Sequence, residues 1–176
     1  MACSREGINN HHLGTGYGRV GDGETLVYAV FDSETMFGER LRTSDFDTKA
    51  FLHGNVSLAR TAYTTRKDFE NNILAPKTAS SSKFCGVSSA KAADLRSIKR
   101  SVSGPQPPPN FRGFCLLDKV ELGDMESHAA LQTCKEQQGL TAKQKGSFRA
   151  ALAADLCDAF GVVGKIEQVT WCASPV

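Results

Sequence analysis

Apolar residues fill both alternating faces of Glu24 to Phe31 (ETLVYAVF), the pattern of a short strand covered on two sides. Val56 and Leu58 alternate with polar neighbours and predict a second strand. A helix is expected from about Thr61 to Leu74, since Phe69 and Ile73 lie four apart on one face and Pro76 supplies a stop. Residues 77–90 (KTASSSKFCGVSSA) are Ser-rich and read as a linker with one apolar anchor at Phe84 and Cys85. A basic helix then follows, in which Leu95, Ile98 and Val102 share a face.

Gly104 to Pro109 (GPQPPP) is the clearest punctuation, because consecutive prolines favour an extended left-handed conformation and exclude helix. Beyond it, Phe111 to Leu122 alternates as a strand, and Asp124 can cap a helix running to about Gln138. Thr141 opens the strongest helix, in which Phe148, Leu152, Leu156 and Phe160 recur every four residues. Ile166 to Trp171 is expected as a final strand. The pattern predicts an α+β fold of two small lobes whose short strands are covered by helices. An extended arm spans 1–23, a first lobe with a basic carboxy-terminal helix 24–100, a Pro-rich joint 101–110 and a second lobe 111–176.

Charge changes this picture in one place. The 176 residues carry 21 basic and 19 acidic groups, a balance that excludes a histone-like nucleic-acid binder. No basic face comes with a recognisable RNA or DNA motif, so no nucleic-acid partner is expected. Between Lys77 and Arg100, however, six basic groups stand against Asp94 alone. Lys91, Arg96, Lys99 and Arg100 are accordingly read as a contact for an acidic protein surface. The longest apolar run, Leu26 to Phe31, is too short to span a bilayer, and the opening MACSREGINNHH lacks the apolar stretch of a signal peptide. A soluble intracellular or organellar protein is expected.

Candidate chemistry is sparse. Gly16, Gly18 and Gly21 satisfy GxGxxG, but a strand follows the glycines where a dinucleotide site needs one before them, so they read as a flexible arm. The six cysteines contain no CxxC pair, against a zinc ribbon or a thioredoxin motif, and are expected to be mostly unpaired thiols. His11 and His12 are adjacent, and His53 and His128 are solitary, so no metal site is expected. No GxSxG, HExxH or P-loop is present. The catalytic option left open is a small thiol-dependent enzyme, with Cys115 or Cys157 activated by one of the histidines.

The stretch HGNVSLARTAYTTRKDFENNI (53–73), following the Tyr-containing strand TLVYAVF, resembles the small linker domain of phycobilisome linker proteins. Cys115 and Asp118, in CLLD, are similar in spacing to the cysteine and aspartate around thioether-linked bilins of phycobiliproteins. In red-algal γ-type linkers bilins sit on scattered single cysteines, so the resemblance implies Cys115, Asp118 and Cys134 as residues that hold a covalent bilin. It further implies a light-harvesting assembly in the chloroplast stroma or at the thylakoid surface. The function expected is that of a non-enzymatic linker subunit, whose arm and joint thread between partner proteins while the lobes dock.

Overall fold

The double-sided apolar pattern of the first strand demands cover on both faces, and the architecture supplies it. The computed structural model describes residues 17–46, 56–98, 113–118, 127–133 and 142–174. It is an α+β fold around one five-stranded antiparallel sheet. The strands are β1 (Thr25–Phe31), β2 (Val56–Arg60), β3 (Phe84–Lys91), β4 (Phe114–Asp118) and β5 (His128–Thr133), in the order β3-β1-β2-β5-β4. Between β2 and β3 run α1 (Arg66–Phe69), a π-helical segment (Glu70–Leu74) and α2 (Ala75–Ala79); α3 (Ala92–Ser97) follows β3, and α4 (Ala142–Ala159) follows β5.

One face of the sheet presents Leu26, Val30, Leu58, Leu116 and Leu131 to Leu152, Leu156 and Phe160 from α4 and the turn after it. The opposite face presents Val27, Ala29, Ala59 and Val87 to Phe69 and to Ile166 of the closing segment, with Trp171 packed alongside. Alternate residues of a strand point to opposite faces, so the two-residue period of β1 feeds both cores at once.

The expected pair of separate lobes is replaced by a shared sheet. Central strand β2, from the first half, pairs with β5 from the second, with Leu58 opposite Ala129 and Ala59 opposite His128. Residues 128–133, expected inside a helix, form β5 because the sheet offers both of its edges a partner, β2 and β4, and buries Ala129 and Leu131. Tertiary pairing overrides the helical propensity of HAALQ. The Ser-rich stretch read as a linker holds β3, which pairs with β1 from Thr25↔Lys91 to Phe31↔Phe84. Its serines and small residues suit a strand whose outer edge is closed by another segment. Val87 and Gly164 exchange backbone hydrogen bonds, and the Gly161 amide donates to the Ser89 carbonyl. That closing segment, 161–172, was expected as a strand from Ile166, but it forms a 3-10 turn over Ile166–Gln168.

Pro76 does not stop the helix. The Ala75 amide bonds back to the Glu70 carbonyl, one residue beyond the usual reach, and this π register places Pro76 in the first turn of α2, where no N–H is needed. The basic helix is short, ending at Ser97. The joint 101–110 and residues 1–16 of the arm lie outside the described residues, as do Gly16, Lys99, Arg100 and Cys134.

Gly86 is the position where backbone conformation and space both require glycine. Its φ is +149°, and a Cβ there would sit 2.7 Å from the Val163 side chain and 2.9 Å from the Gly164 carbonyl oxygen. Gly86→Ala is expected to lower the unfolding free energy by about 2–4 kcal/mol in a urea titration. Gly23→Ala, whose Cβ meets nothing within 4 Å, should stay within about 0.5 kcal/mol of the parent.

Candidate functional site

Arg60 ends β2 on the same face as Val56 and Leu58, so the strand's period carries a guanidinium into the interior, where it is 0 % exposed. A buried cation must be matched, and here two carboxylates and a backbone carbonyl take four of its five N–H groups. Arg60 Nε donates to Glu24 Oε2 and Nη2 to Glu24 Oε1, both at 2.8 Å, a two-pronged fork. Nη1 donates to Asp118 Oδ1 and to the Gly18 carbonyl, also at 2.8 Å. Tyr63 lies over the guanidinium at 4.7 Å, and Tyr17 stacks on Tyr63 with ring centroids 4.2 Å apart. Burial works against the charged guanidinium, yet the Glu24 fork and the charges of Glu24 and Asp118 outweigh it and raise the Arg60 pKa.

Each partner comes from a different element: Glu24 precedes β1, Asp118 closes β4, and Gly18 belongs to the arm. The glycines of the GxGxxG pattern serve this cluster. Gly18, at φ +77°, turns its carbonyl toward Arg60, and the Gly21 amide is taken by Glu24 Oε1 at 2.6 Å. The end of the arm is thus packed structure, with Val20 buried. Nearby, the Thr64 hydroxyl lies within hydrogen-bond distance of the Arg60 carbonyl (2.8 Å) and of Ser127 Oγ (2.7 Å).

A second region lies on the opposite face, where the segment 162–172 crosses the sheet and leaves an open cleft of about 660 Å³. Thr25 and Ser89 of the sheet, Thr61 of the turn after β2, and Lys165, Gln168 and Trp171 of the crossing segment line it.

A third region is apolar and exposed. Met36, Phe37 and Val162 are 69 %, 57 % and 53 % exposed. Their two segments are clipped together: the Gly38 amide donates to the Val163 carbonyl and the Val163 amide to the Glu39 carbonyl, each at 2.8 Å. Asp45 fixes the loop beneath, accepting from Ser33 Oγ (2.6 Å), Thr35 Oγ1 (2.7 Å) and the Arg42 amide (2.7 Å).

The residues singled out in the sequence fall in separate places. Cys115 is buried in β4 and disulfide-bonded, and Asp118 is the partner of Arg60. A sulfur already in a disulfide has no thiol for a thioether, and a carboxylate held by arginine is spent, so Cys115 and Asp118 do not fit a bilin; Cys134 lies outside the described residues. Cys85, Cys157 and Cys172 are free thiols. Arg96, expected on a surface for an acidic partner, is buried: it pairs with Asp22 and donates to the Val20 carbonyl at 2.6 Å. Lys91 is exposed, with its ammonium on Thr25 Oγ1 (2.8 Å) and the Gly23 carbonyl (3.2 Å). His128 is buried in β5, whereas His11, His12 and His53 lie outside the described residues. Among the described residues no group of three His, Cys, Asp or Glu side chains could hold a metal ion, and no helix is long and apolar enough to cross a membrane.

Cys157 packs against the α4-side core, to which Ala129 also belongs. His128 alternates with Ala129 and so points to the other face of the sheet. The Cys157 thiol is pushed up to about 11 by burial, with the negative charges of Asp45 and Asp158 adding to it. Such a thiol is protonated at neutral pH and is a poor nucleophile. Compared with protein-family profiles, curated proteins and solved structures, the chain matches none of them.

Two outcomes follow from this geometry. Arg60→Met leaves Glu24 and Asp118 without their cation and is expected to cost about 3–5 kcal/mol in urea unfolding. Replacing all three by apolar groups (Arg60→Met, Glu24→Leu, Asp118→Leu) should recover much of that loss. For Cys157 the folded pKa of about 11 exceeds the ordinary 9.0, so the neutral thiol contributes stability that is fully present below pH 9 and lost as pH rises toward 11. The difference in stability between the parent and Cys157→Ser should therefore shift in that window and stay flat from pH 6 to 8, as measured by urea titrations across pH.

Proposed function

We propose that this chain is a non-enzymatic binding subunit that docks a partner protein within a larger assembly. The observation that carries this reading is the ridge of Met36, Phe37 and Val162, three large apolar side chains held in water on two segments clipped by backbone hydrogen bonds. A rigid exposed apolar cluster costs solubility without strengthening the fold, and such surfaces mark contact sites. The loop that presents it is ordered before any partner arrives, because Asp45 holds Ser33, Thr35 and Arg42. Little conformational entropy is then lost on docking. The partner suited to the ridge is a protein offering an apolar pocket for Phe37 rather than the acidic surface expected for the basic stretch, since Arg96 is already committed to Asp22. The chemistry of Cys157 gives no comparable support to a thiol-dependent enzyme.

The resemblance of residues 53–73 to phycobilisome linkers makes a phycobilisome-type light-harvesting complex the first assembly to test. On this reading the chain serves as a linker without a bilin on Cys115.

Size-exclusion chromatography of the protein isolated natively from its source, with identification of co-eluting polypeptides, tests the reading. The parent is expected to elute within an assembly, and Phe37→Asp combined with Val162→Asp to elute at the mass of the free chain with an unchanged melting temperature. A parent chain that elutes alone would overturn the proposal, as would a double variant that stays in the assembly.

A further inference from the structure

We propose that the open cleft between the sheet and the closing segment binds a small molecule that joins an anionic group, a carboxylate or a phosphate, to a flat apolar ring. The inference goes beyond partner docking: the cleft shares Val162 with the ridge, but Lys165 and Trp171, on which the inference rests, are not part of the ridge. The cleft's volume of about 660 Å³ lies within the range of small-molecule sites, roughly 300–1,000 Å³.

Its charge selects the ligand. Lys165 is the charged residue in the lining, and among the described residues no carboxylate lines the cleft. A second ammonium stands close by, since Lys91 Nζ is 2.8 Å from the hydroxyl of Thr25, itself a lining residue. The acidic residue nearest to Lys165 in sequence, Glu167, is turned to Arg66, accepting from Nη2 at 2.9 Å. Glu24, beside Thr25, is held in the Arg60 fork. The positive potential of the cleft therefore goes uncompensated by carboxylates committed elsewhere. Hydroxyls of Ser89 and Thr170 and the amide of Gln168 supply further polar groups around it.

Part of the cleft's lining is apolar and preformed. Trp171 donates its indole N–H to the Ile166 carbonyl at 3.1 Å and packs on Phe69 with ring centroids 4.8 Å apart. Its ring is thereby held in one orientation, and Val87 and Val169 extend the apolar wall. A cation and an aromatic ring in the lining of one cleft define the ligand class: an aromatic carboxylate or a nucleoside phosphate.

Trp171 is the one tryptophan of the chain and so reports on its own site. The full chain is titrated, with Trp171 fluorescence as readout, against benzoate and AMP, and against their uncharged counterparts benzamide and adenosine. A saturable change with benzoate or AMP is expected, and the stronger of the two names the anion. The matching uncharged compound should bind about tenfold more weakly or less, the loss of one charge-assisted contact. Lys165→Gln, at an exposed position that the fold does not need, should weaken binding by about the same factor, and Lys67→Gln on exposed α1 should leave it unchanged. The proposal is overturned if neither anion gives a saturable response at millimolar concentration, if charged and uncharged compounds bind alike, or if Lys165→Gln binds as the parent does. Because Lys165 lies off the apolar ridge, none of these results depends on partner docking.

Discussion

A guanidinium removed from water is tolerated only where its charge is matched and its N–H groups find acceptors, and in this fold that requirement falls on Arg60. The fork from Glu24 holds the start of β1, Asp118 holds the end of β4, and the Gly18 carbonyl holds the arm. The two outer partners sit on strands that are not neighbours, since β2 and β5 stand between β1 and β4 in the sheet. A single side chain thus ties the strand order together at one end. The apolar cores then fill the space on either face, and the positions of the cleft and the ridge follow from how the closing segment is draped over β3.

The ion pair and the cores divide the labour of specificity. Leu, Val and Ala side chains on the two faces give most of the stabilisation, but they tolerate many arrangements of similar volume. The Arg60 cluster tolerates few, because a strand slipped by one residue would move the cation to the other face and strand two carboxylates. The same logic explains how residues 17–20 of the arm are held. Tyr17 on Tyr63, Gly18 on Arg60 and Val20 in the core are three independent attachments.

How far the residues announce this fold depends on how local each signal is. The strand at ETLVYAVF and the helix built on Leu152, Leu156 and Phe160 were legible, because a period of two or of about four needs nothing beyond the segment itself. Residues 128–133 were not, since HAALQT is a strand only when β2 and β4 flank it. The serines of β3 concealed a strand for the same reason: their partners, Tyr28 opposite Ser88 and Val27 opposite Ser89, lie far away in sequence. Arg60 could have been found. It continues the inward series Val56, Leu58, and a charge at an inward position asks for a buried acid. The cleft had no local sign at all, for its walls come from β1, β3 and a segment some seventy residues later in the chain.

The sheet order also fixes when the molecule can become complete during synthesis. β1, β2 and β3 are made first, yet the neighbour of β2 is β5, the helix covering one face is α4, and the cover of the other face includes Ile166 and Trp171. The nascent chain therefore carries three strands with an open edge at β2 and apolar faces still bare until residues 128–171 have been polymerised. That interval is the one in which such edges and faces pair with the wrong molecule.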